Sequence, residues 1–426
     1  MPALPLWPLY LMFGMVPFWW VLGGLYLFWP ILGLVLGVVM LLRGRIVLPT
    51  GFGLWLVLIG LVVVSATRME KITGFFMYGL RLGFVLAAFL VYLYVYNAVR
   101  AGVNWAKLFQ PLMLFWLAMV ALGWIGVFAP RFALTTPVEL LLPGSISSDR
   151  IVQALTHVHA TEFNPASRNP YFRTAAPYPY TNNWGMGFAI LVPCVVAFLS
   201  SVRAGLLRKV VLVSLPLALV PAFLTLNRGM FIGLGAGLVY LGLRALLRGD
   251  IRVIASIAAV GLLGWVFTLV IPVTDLITNR VQNTDSTSDR ADLYWQTFEA
   301  VTRAPLLGYG GPRMVDTTHA AEPLGTQGQL WLMMYSHGIP ALLVFVLLFV
   351  LVARRLSAAV STPGKWLSVL PVIALVVMPF YGFTDMNLSV LFFGIGLAMA
   401  AVDGPVHREV PTPRLVLGPS APVSTL

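Results

Sequence analysis

Apolar runs of about 20 residues recur along almost the whole chain, and they leave one solvent in which it can fold. Hydrocarbon cannot hydrogen-bond a bare peptide group, so a run that enters a bilayer must be helical and roughly 20 residues long. The first run, Leu4 to Leu42, is about twice that length and carries Gly23 and Gly24 near its middle. It predicts two helices joined by a tight turn. No basic segment precedes it and no small-residue cleavage site follows, so a removable signal peptide is not expected. Further spans are predicted at about 51–66, 73–97, 107–128, 184–202, 210–226, 230–247, 253–272, 328–352, 367–383 and 389–402, for a total of twelve. The fold class is therefore an all-α polytopic membrane protein with two long extracytoplasmic segments, the second partly helical.

Composition agrees. The hydrophobic share is 59% and the charged share 10% over 426 residues, whereas a soluble chain carries about 25% charged residues. The formal net charge is +12. In a soluble chain that excess would suggest nucleic acid; in a membrane chain it reports topology, and no nucleic-acid partner is expected. One set of loops holds Arg43, Arg45, Arg100, Lys107, Arg203, Arg208, Lys209, Arg244, Arg248, Arg252, Arg354, Arg355, Lys365, Arg408 and Arg414, or 15 basic residues against three acids. The short loops of the other set hold only Arg68, Lys71 and Arg228. This bias puts the first set and both termini in the cytoplasm. The lone Cys194 lies in an apolar run, which excludes a disulfide framework and a paired-cysteine metal site.

The organisation expected is 1–128 (about five spans), a first external segment 129–183, central spans 184–272, a second external segment 273–327, spans 328–402 and a disordered cytoplasmic tail 403–426. The external segments hold His157, His159 and His319, with His337 just inside the next helix. A transporter concentrates polar groups near the midplane. Here they gather on one face, which favours an enzyme working at the outer leaflet.

Several residues are suited to anion chemistry. Arg228, in Thr225-Leu-Asn-Arg-Gly229, stands between two short apolar runs. A charge near membrane depth costs a few kcal/mol or more and lines a cavity or meets a partner. It is either a turn arginine reaching headgroups or a fixed cation facing a phosphate, which guanidinium binds bidentately. Arg290 falls in the first turn of an external helix capped by Ser288 or Asp289, with apolar positions Leu293, Phe298 and Val301. A cation there opposes the helix dipole, which suggests another use. Gly308-Tyr-Gly-Gly-Pro312 is a tight turn, where the glycines either admit a substrate or simply turn the chain. His337 is either a helix–helix hydrogen bonder or catalytic, and His319 is placed to act as a general base. Arg81 is a further intramembrane cation. The run from Arg168 to Gly185, with Arg173 and Asn182, is too rich in proline for regular helix; its aromatics and amides suit sugar contacts or an interfacial belt equally.

Four stretches carry a family resemblance. PYPYTNNWGMG, TLNRGMFIGL, SDRADLYWQTFEAVTRAPLLGYG and GTQGQLWLMMYSHGIPALLVF resemble, in order over about 190 residues from Arg168 to Leu356, the motifs of the O-antigen ligase and O-antigen polymerase superfamily. Asn227 stands where that family usually has Ser. The resemblance implies an inverting transfer of a glycan from a polyprenyl-diphosphate carrier to a glycan or glycolipid hydroxyl, without metal, nucleotide or other cofactor, at the outer face of a bacterial inner membrane. It places Arg228 and Arg290 on the diphosphate, with Arg168, Arg173, Asn182, Gln327 and Trp295 as further substrate contacts. The family's His-Asn pair is missing: Gly325-Thr-Gln-Gly-Gln329 stands in its place, and an amide is no base at neutral pH. The base is then His319 or His337 from a shifted position, or a carboxylate such as Asp289 or Glu322, or the acceptor is activated by positioning. The competing expectations are a flippase or exporter for the same lipid-linked glycan, with cations through both leaflets, and a scaffold without chemistry.

Overall fold

A computed structural model describes residues 4–70, 74–144, 150–163, 172–251, 254–255, 257–258, 286–313 and 323–404, with the backbone alone at 150 and 286–290. The protein is an all-α polytopic membrane protein. Its first apolar run is α1 (Trp7–Leu9), a π-helical turn (Tyr10–Gly14), α2 (Val16–Leu22) and α3 (Leu25–Arg43). The expected break at Gly23 and Gly24 is present, with Gly23 at φ +79°. The helix before it is fragmented where one was predicted, because Pro8 and Pro17 withhold N–H donors and crowd the preceding turn.

The chain continues through α4 (Phe52–Ser65), α5 (Gly74–Arg100) and α6 (Trp105–Phe128). The chain after α6 then folds as α7 (Pro137–Leu141), α8 (Arg150–Thr156) and two small antiparallel pairs. These are β1 (Ala133–Leu134) with β2 (Val158–His159), and β3 (Thr161–Phe163) with β4 (Phe172–Thr174). Next come α9 (Thr181–Ser201), α10 (Leu206–Leu224) and α11 (Arg228–Arg248). The polar helix α12 (Ser286–Arg303) is followed by α13 (Gln329–Leu356), α14 (Thr362–Leu367), α15 (Leu370–Val377) and α16 (Met386–Asp403). Among the described residues eight helices are long and apolar enough to cross a membrane, and two shorter apolar stretches cover Phe52–Arg68 and Thr362–Val377. The predicted span 253–272 and the tail beyond residue 404 fall outside the described residues, a few positions excepted.

The predicted span 367–383 is displaced. Ser361 caps a helix that starts at Thr362 and the helical run ends at Val377, so residues 378–385 leave it. Pro379 cannot donate to a preceding carbonyl, Gly382 disfavours helix, and Asp385 caps α16 by accepting from Asn387 N. The turn thus formed is central to the site described below.

The core is aromatic. Phe13, Trp29, Trp55, Phe115, Trp116 and Phe392 are almost fully buried, and their polar edges are served where the packing allows. Trp29 Nε1 donates to Ser389 Oγ at 3.0 Å, and Trp116 Nε1 to Ser214 Oγ at 2.7 Å. Charge is segregated by end. At one end Arg355 meets Asp403 at 2.8 Å, Lys365 meets Asp250, and Arg244 donates to Ser368 Oγ and the Ala359 carbonyl. At the other lie β3–β4, α12 and the 225–227 and 378–385 turns, joined by bonds from Arg173 to Thr225 and from Gly229 to Tyr381 and by the Tyr294–Trp331 stack.

Helix α13 breaks inside the bundle at Gly338, which has φ +86°. Its loosened backbone is taken up by the turn after α12: Tyr309 N donates to the Tyr335 carbonyl at 2.9 Å, Gly310 N to Ser336 at 2.8 Å, and Ile339 N to Pro305 at 2.8 Å. A Cβ at Gly338 would overlap the Leu306 carbonyl. Gly338→Ala, strained in φ and in contact, is expected to cost about 1–3 kcal/mol or more and to lower the melting temperature in detergent by several degrees. An unchanged melting temperature would show that the turn does not pack as described.

Candidate functional site

The site is built on the start of α11. Leu226 adopts φ +51°, Thr225 Oγ1 accepts from Asn227 N at 3.2 Å, and Asn227 Oδ1 caps the helix by accepting from Met230 N at 3.1 Å. Asparagine and serine are comparable N-caps, so the departure at Asn227 preserves the turn. Arg228 is then the first helical residue and is exposed. No carboxylate among the described residues lies within ion-pair distance of it. A guanidinium at a helix N-terminus adds its charge to the positive end of the dipole, an arrangement that attracts anions.

Arg173 and Asn182 are brought to the same place. Arg173, on β4, donates from Nε to the Thr225 carbonyl at 2.9 Å and stands 4.0 Å from Glu162. Its Nη2 is buried with no acceptor among the described residues. The Asn182 carbonyl accepts from Asn227 Nδ2 at 3.4 Å, and Glu162 holds the start of α9 through Thr181 N at 2.9 Å.

The 378–385 turn ties this corner to α13. Gly229 N donates to Tyr381 Oη at 3.1 Å, and the contact is so close that a Cβ at Gly229 would overlap the ring. The Tyr381 carbonyl accepts from Gln329 N at 3.0 Å. One tyrosine therefore spans from the start of α11 to the start of α13, where Gln327 lies 6% exposed. Trp331 Nε1 donates to the Pro379 carbonyl at 3.0 Å and stacks on Tyr294 of α12 at 4.6 Å. The backbone of Arg290 lies one turn before Tyr294 in that helix.

Trp295 is not drawn into the corner. It is 67% exposed and pairs with Phe298, also exposed, while Leu293 and Val301 pack against Leu324, Met334 and Tyr335. Phe298, expected on the buried face of α12, points outward because the buried stripe runs through Leu293, Thr297 and Val301. Arg168, His319 and Glu322 lie outside the described residues, as does the side chain of Asp289. His337, 5% exposed, shares a 2.7 Å hydrogen bond from Nδ1 with Ser65 Oγ of α4, a link between two helices. Arg81 of α5 lies beside it, with Nη1 3.5 Å from where a Cβ of Gly311 would stand. Between α6 and α9 His157 pairs with Glu139 at 3.0 Å, and His159 sits between the His157 and Pro179 carbonyls.

A carboxylate that the sequence did not single out sits at the heart of this end. Asp385 is buried and receives Asn387 N at 2.7 Å, Asn183 Nδ2 and, at 3.4 Å, Tyr26 Oη. Asn387 is itself held by Tyr178 Oη at 2.9 Å and by the Asn183 carbonyl at 3.0 Å. Its signal in sequence was a lone acid between two predicted spans.

With this geometry in view, comparison with known families is informative. Residues 212–346 match the model of the O-antigen ligase family. The chain is O-antigen ligase-like over that stretch. It contains Arg228, Arg290, Gln327 and His337, and it accords with the resemblance drawn from the motifs. The match supports a membrane ligase or polymerase of the O-antigen pathway, with a lipid-linked glycan and a glycan acceptor as its general substrates. No curated protein matches the chain.

Burial pushes the Asp385 carboxyl up to about 7, against the pull of Asn387 N, Asn183 and Tyr26, which favour the ionised form. A carboxyl raised in the folded state contributes stability that is complete below the unfolded value of about 3.9 and is lost as pH rises through about 7. The melting temperature in detergent is expected to fall between about pH 4 and pH 7, and Asp385→Asn should flatten that slope. A slope unchanged in the variant would assign the dependence to another group.

Proposed function

We propose that this protein is a ligase- or polymerase-type glycosyltransferase of a bacterial inner membrane. It moves a glycan from a polyprenyl-diphosphate carrier to the hydroxyl of a glycan or glycolipid at the outer leaflet. The observation that carries the reading is the cationic corner at the start of α11, where Arg228 lacks a carboxylate and Arg173 keeps a buried N–H without an acceptor among the described residues. A departing diphosphate gathers negative charge, and fixed donors in a site with little water stabilise it most. Arg228 and Arg290 hold the diphosphate in this reading, and Arg173 and Arg168 extend the positive field. Asn182 and Gln327 meet sugar hydroxyls, and the exposed Trp295 indole offers a face for a sugar ring.

The acceptor oxygen bonds to the anomeric carbon from the face opposite the diphosphate, with inversion and without metal. The carbon–oxygen bond to the diphosphate breaks with its electron pair going to the diphosphate. Of the two histidines considered for the hydroxyl proton, His337 is enclosed and already bonded to Ser65, which favours His319. The segregation of charge supports cytoplasmic termini and an outward-facing corner. Translocation of the same lipid, the alternative, calls for cations through both leaflets. Arg81, the interior cation, lies only two turns into α5 from the end that carries Arg228.

Purified protein is to be mixed with a lipid extract from host membranes lacking this gene, which holds the accumulated donor and the acceptor. Transferred or lengthened glycan is expected, with turnover reduced at least about a hundredfold in Arg228→Ala and in Arg290→Ala. Arg290→Lys should also be poor, since an ammonium lacks the bidentate fork. An inactive wild type that instead moves the lipid across liposomes would establish the alternative. Orientation is tested separately in a Cys194→Ala background, where an impermeant thiol reagent added to whole spheroplasts should label Leu140→Cys and spare Val360→Cys. The reverse pattern would invert the topology.

A further inference from the structure

The side chain of Gln327 is anchored by one end only. Its Nε2 donates to the Pro323 carbonyl at 3.2 Å and to Thr326 Oγ1 at 3.0 Å. Both partners are acceptors towards it, because a carbonyl has no proton and Thr326 Oγ1 already donates its own to Pro323 at 2.7 Å. The amide therefore has a fixed sense, with its nitrogen on that side and its oxygen on the other. Oε1 is buried and meets no donor among the described residues. Buried carbonyl oxygens are almost always paired, so one that is held unpaired is prepared for a donor that arrives later.

The place where it waits is defined. Two residues on, Gln329 is bonded through its own backbone to Tyr381, and Tyr381 Oη receives the amide next to Arg228. Nothing at position 327 can take a proton at neutral pH, whereas an amide oxygen readily receives a hydrogen bond from a sugar hydroxyl.

We infer that Gln327 Oε1 accepts the hydrogen bond of the attacking acceptor hydroxyl and so orients that oxygen towards the anomeric carbon. The inference rests on the transfer reaction proposed above. In the step itself the hydroxyl oxygen forms its bond to the anomeric carbon and the diphosphate leaves with the electron pair of the broken bond. The proton passes to the base of the external segments, and Gln327 holds the hydroxyl without changing its own protonation. Such a contact favours one lone-pair direction of the acceptor and belongs to acceptor rather than donor recognition.

The experiment uses the full-length protein in detergent with donor and acceptor lipids resolved from the extract described above, each titrated separately. Wild-type turnover secures the reaction first, and its absence would overturn that reading rather than the geometry argued here. Gln327→Met, similar in length but without the amide oxygen, is expected to lower kcat/KM for the acceptor on the order of tenfold. Its KM for the donor and its melting temperature should stay near the wild-type values. Gln327→Glu keeps an acceptor oxygen of the same reach, its second oxygen received by Thr326 Oγ1 once that hydroxyl turns from the Pro323 carbonyl, and should recover most of that loss. Acceptor kinetics unchanged in Gln327→Met would overturn the inference, as would equal losses in both variants at an unchanged melting temperature. If Gln327→Met is unfolded, Gln327→Glu against Gln327→Asn, which withdraws the oxygen by one methylene, gives the same comparison: a deficit confined to Asn supports it and equal kinetics overturn it.

Discussion

Gln329 reaches from the first turn of α13 to a stretch of chain that has no helix of its own. Phe383 N and Thr384 N both donate to its Oε1, at 2.9 and 3.1 Å, while its Nε2 donates to Thr384 Oγ1 at 2.6 Å. Inside a membrane protein such a stretch survives only if protein groups replace the missing water, because each unsatisfied peptide group costs several kcal/mol. The Gln329 amide serves Phe383 and Thr384, while the Trp331 indole and the first backbone donors of α13 serve the Pro379, Met378 and Tyr381 carbonyls. The turn in turn presents Tyr381 to the start of α11 and Asp385 to Asn183, so three helix N-termini, those of α9, α11 and α13, share one hub.

The same rule governs the second irregularity. Where α13 breaks at Gly338, the glycine turn that follows α12 supplies the donors that the kink calls for. The turn was open to two interpretations in sequence, and the structure gives Gly308 and Gly310 a packing role against residues 335–337 and Met69. Gly311 differs, since it borders Arg81. Helix α12, kink and cation are thereby mechanically joined: α12 cannot shift without disturbing the turn that completes α13, and that turn lies against the Arg81 guanidinium.

Much of this was legible because it rests on period and length. Spans, the Gly23–Gly24 turn, the sidedness of charge and the prominence of Arg228 follow from apolar run length and the cost of burying ions. What was not legible depends on contacts between distant segments. An apolar run through Met378 and Phe380 looks like helix until Gln329, some 50 residues earlier, is known to offer its amide to Phe383 and Thr384. Asp385 looked like one more acid near a span end, and only folding brings Tyr26, Asn183 and Asn387 around it. Phe298 and Trp295 satisfied a loose helical spacing, but the helix presents a narrower stripe to its neighbours. The two small strand pairs between α6 and α9 are too short, at two or three residues each, for an alternating pattern to register.

The charge sum also bears on how the arginine corner works. By sequence, the loops of the basic end carry 15 − 3 = +12, the opposite set 11 − 12 = −1, and Arg81 adds +1, which restores the total of +12. Roughly 30 Å of hydrocarbon separates the two ends, against a screening length of about 8 Å at physiological ionic strength. The large positive excess therefore contributes almost nothing at the corner around Arg228. Part of it is also spent locally, with Arg355 and Lys365 on carboxylates and Arg244 and Arg248 on the carbonyls that end α13. An anion approaching Arg228 meets an end whose sequence charge is close to neutral, in which the Arg228 guanidinium, the buried Arg173 Nη2 and a helix N-terminus are the local field. In the proposed transfer, selectivity for a diphosphate then comes from the geometry of those few groups and not from a general attraction to the protein, and loss of any one of them removes a large fraction of the whole.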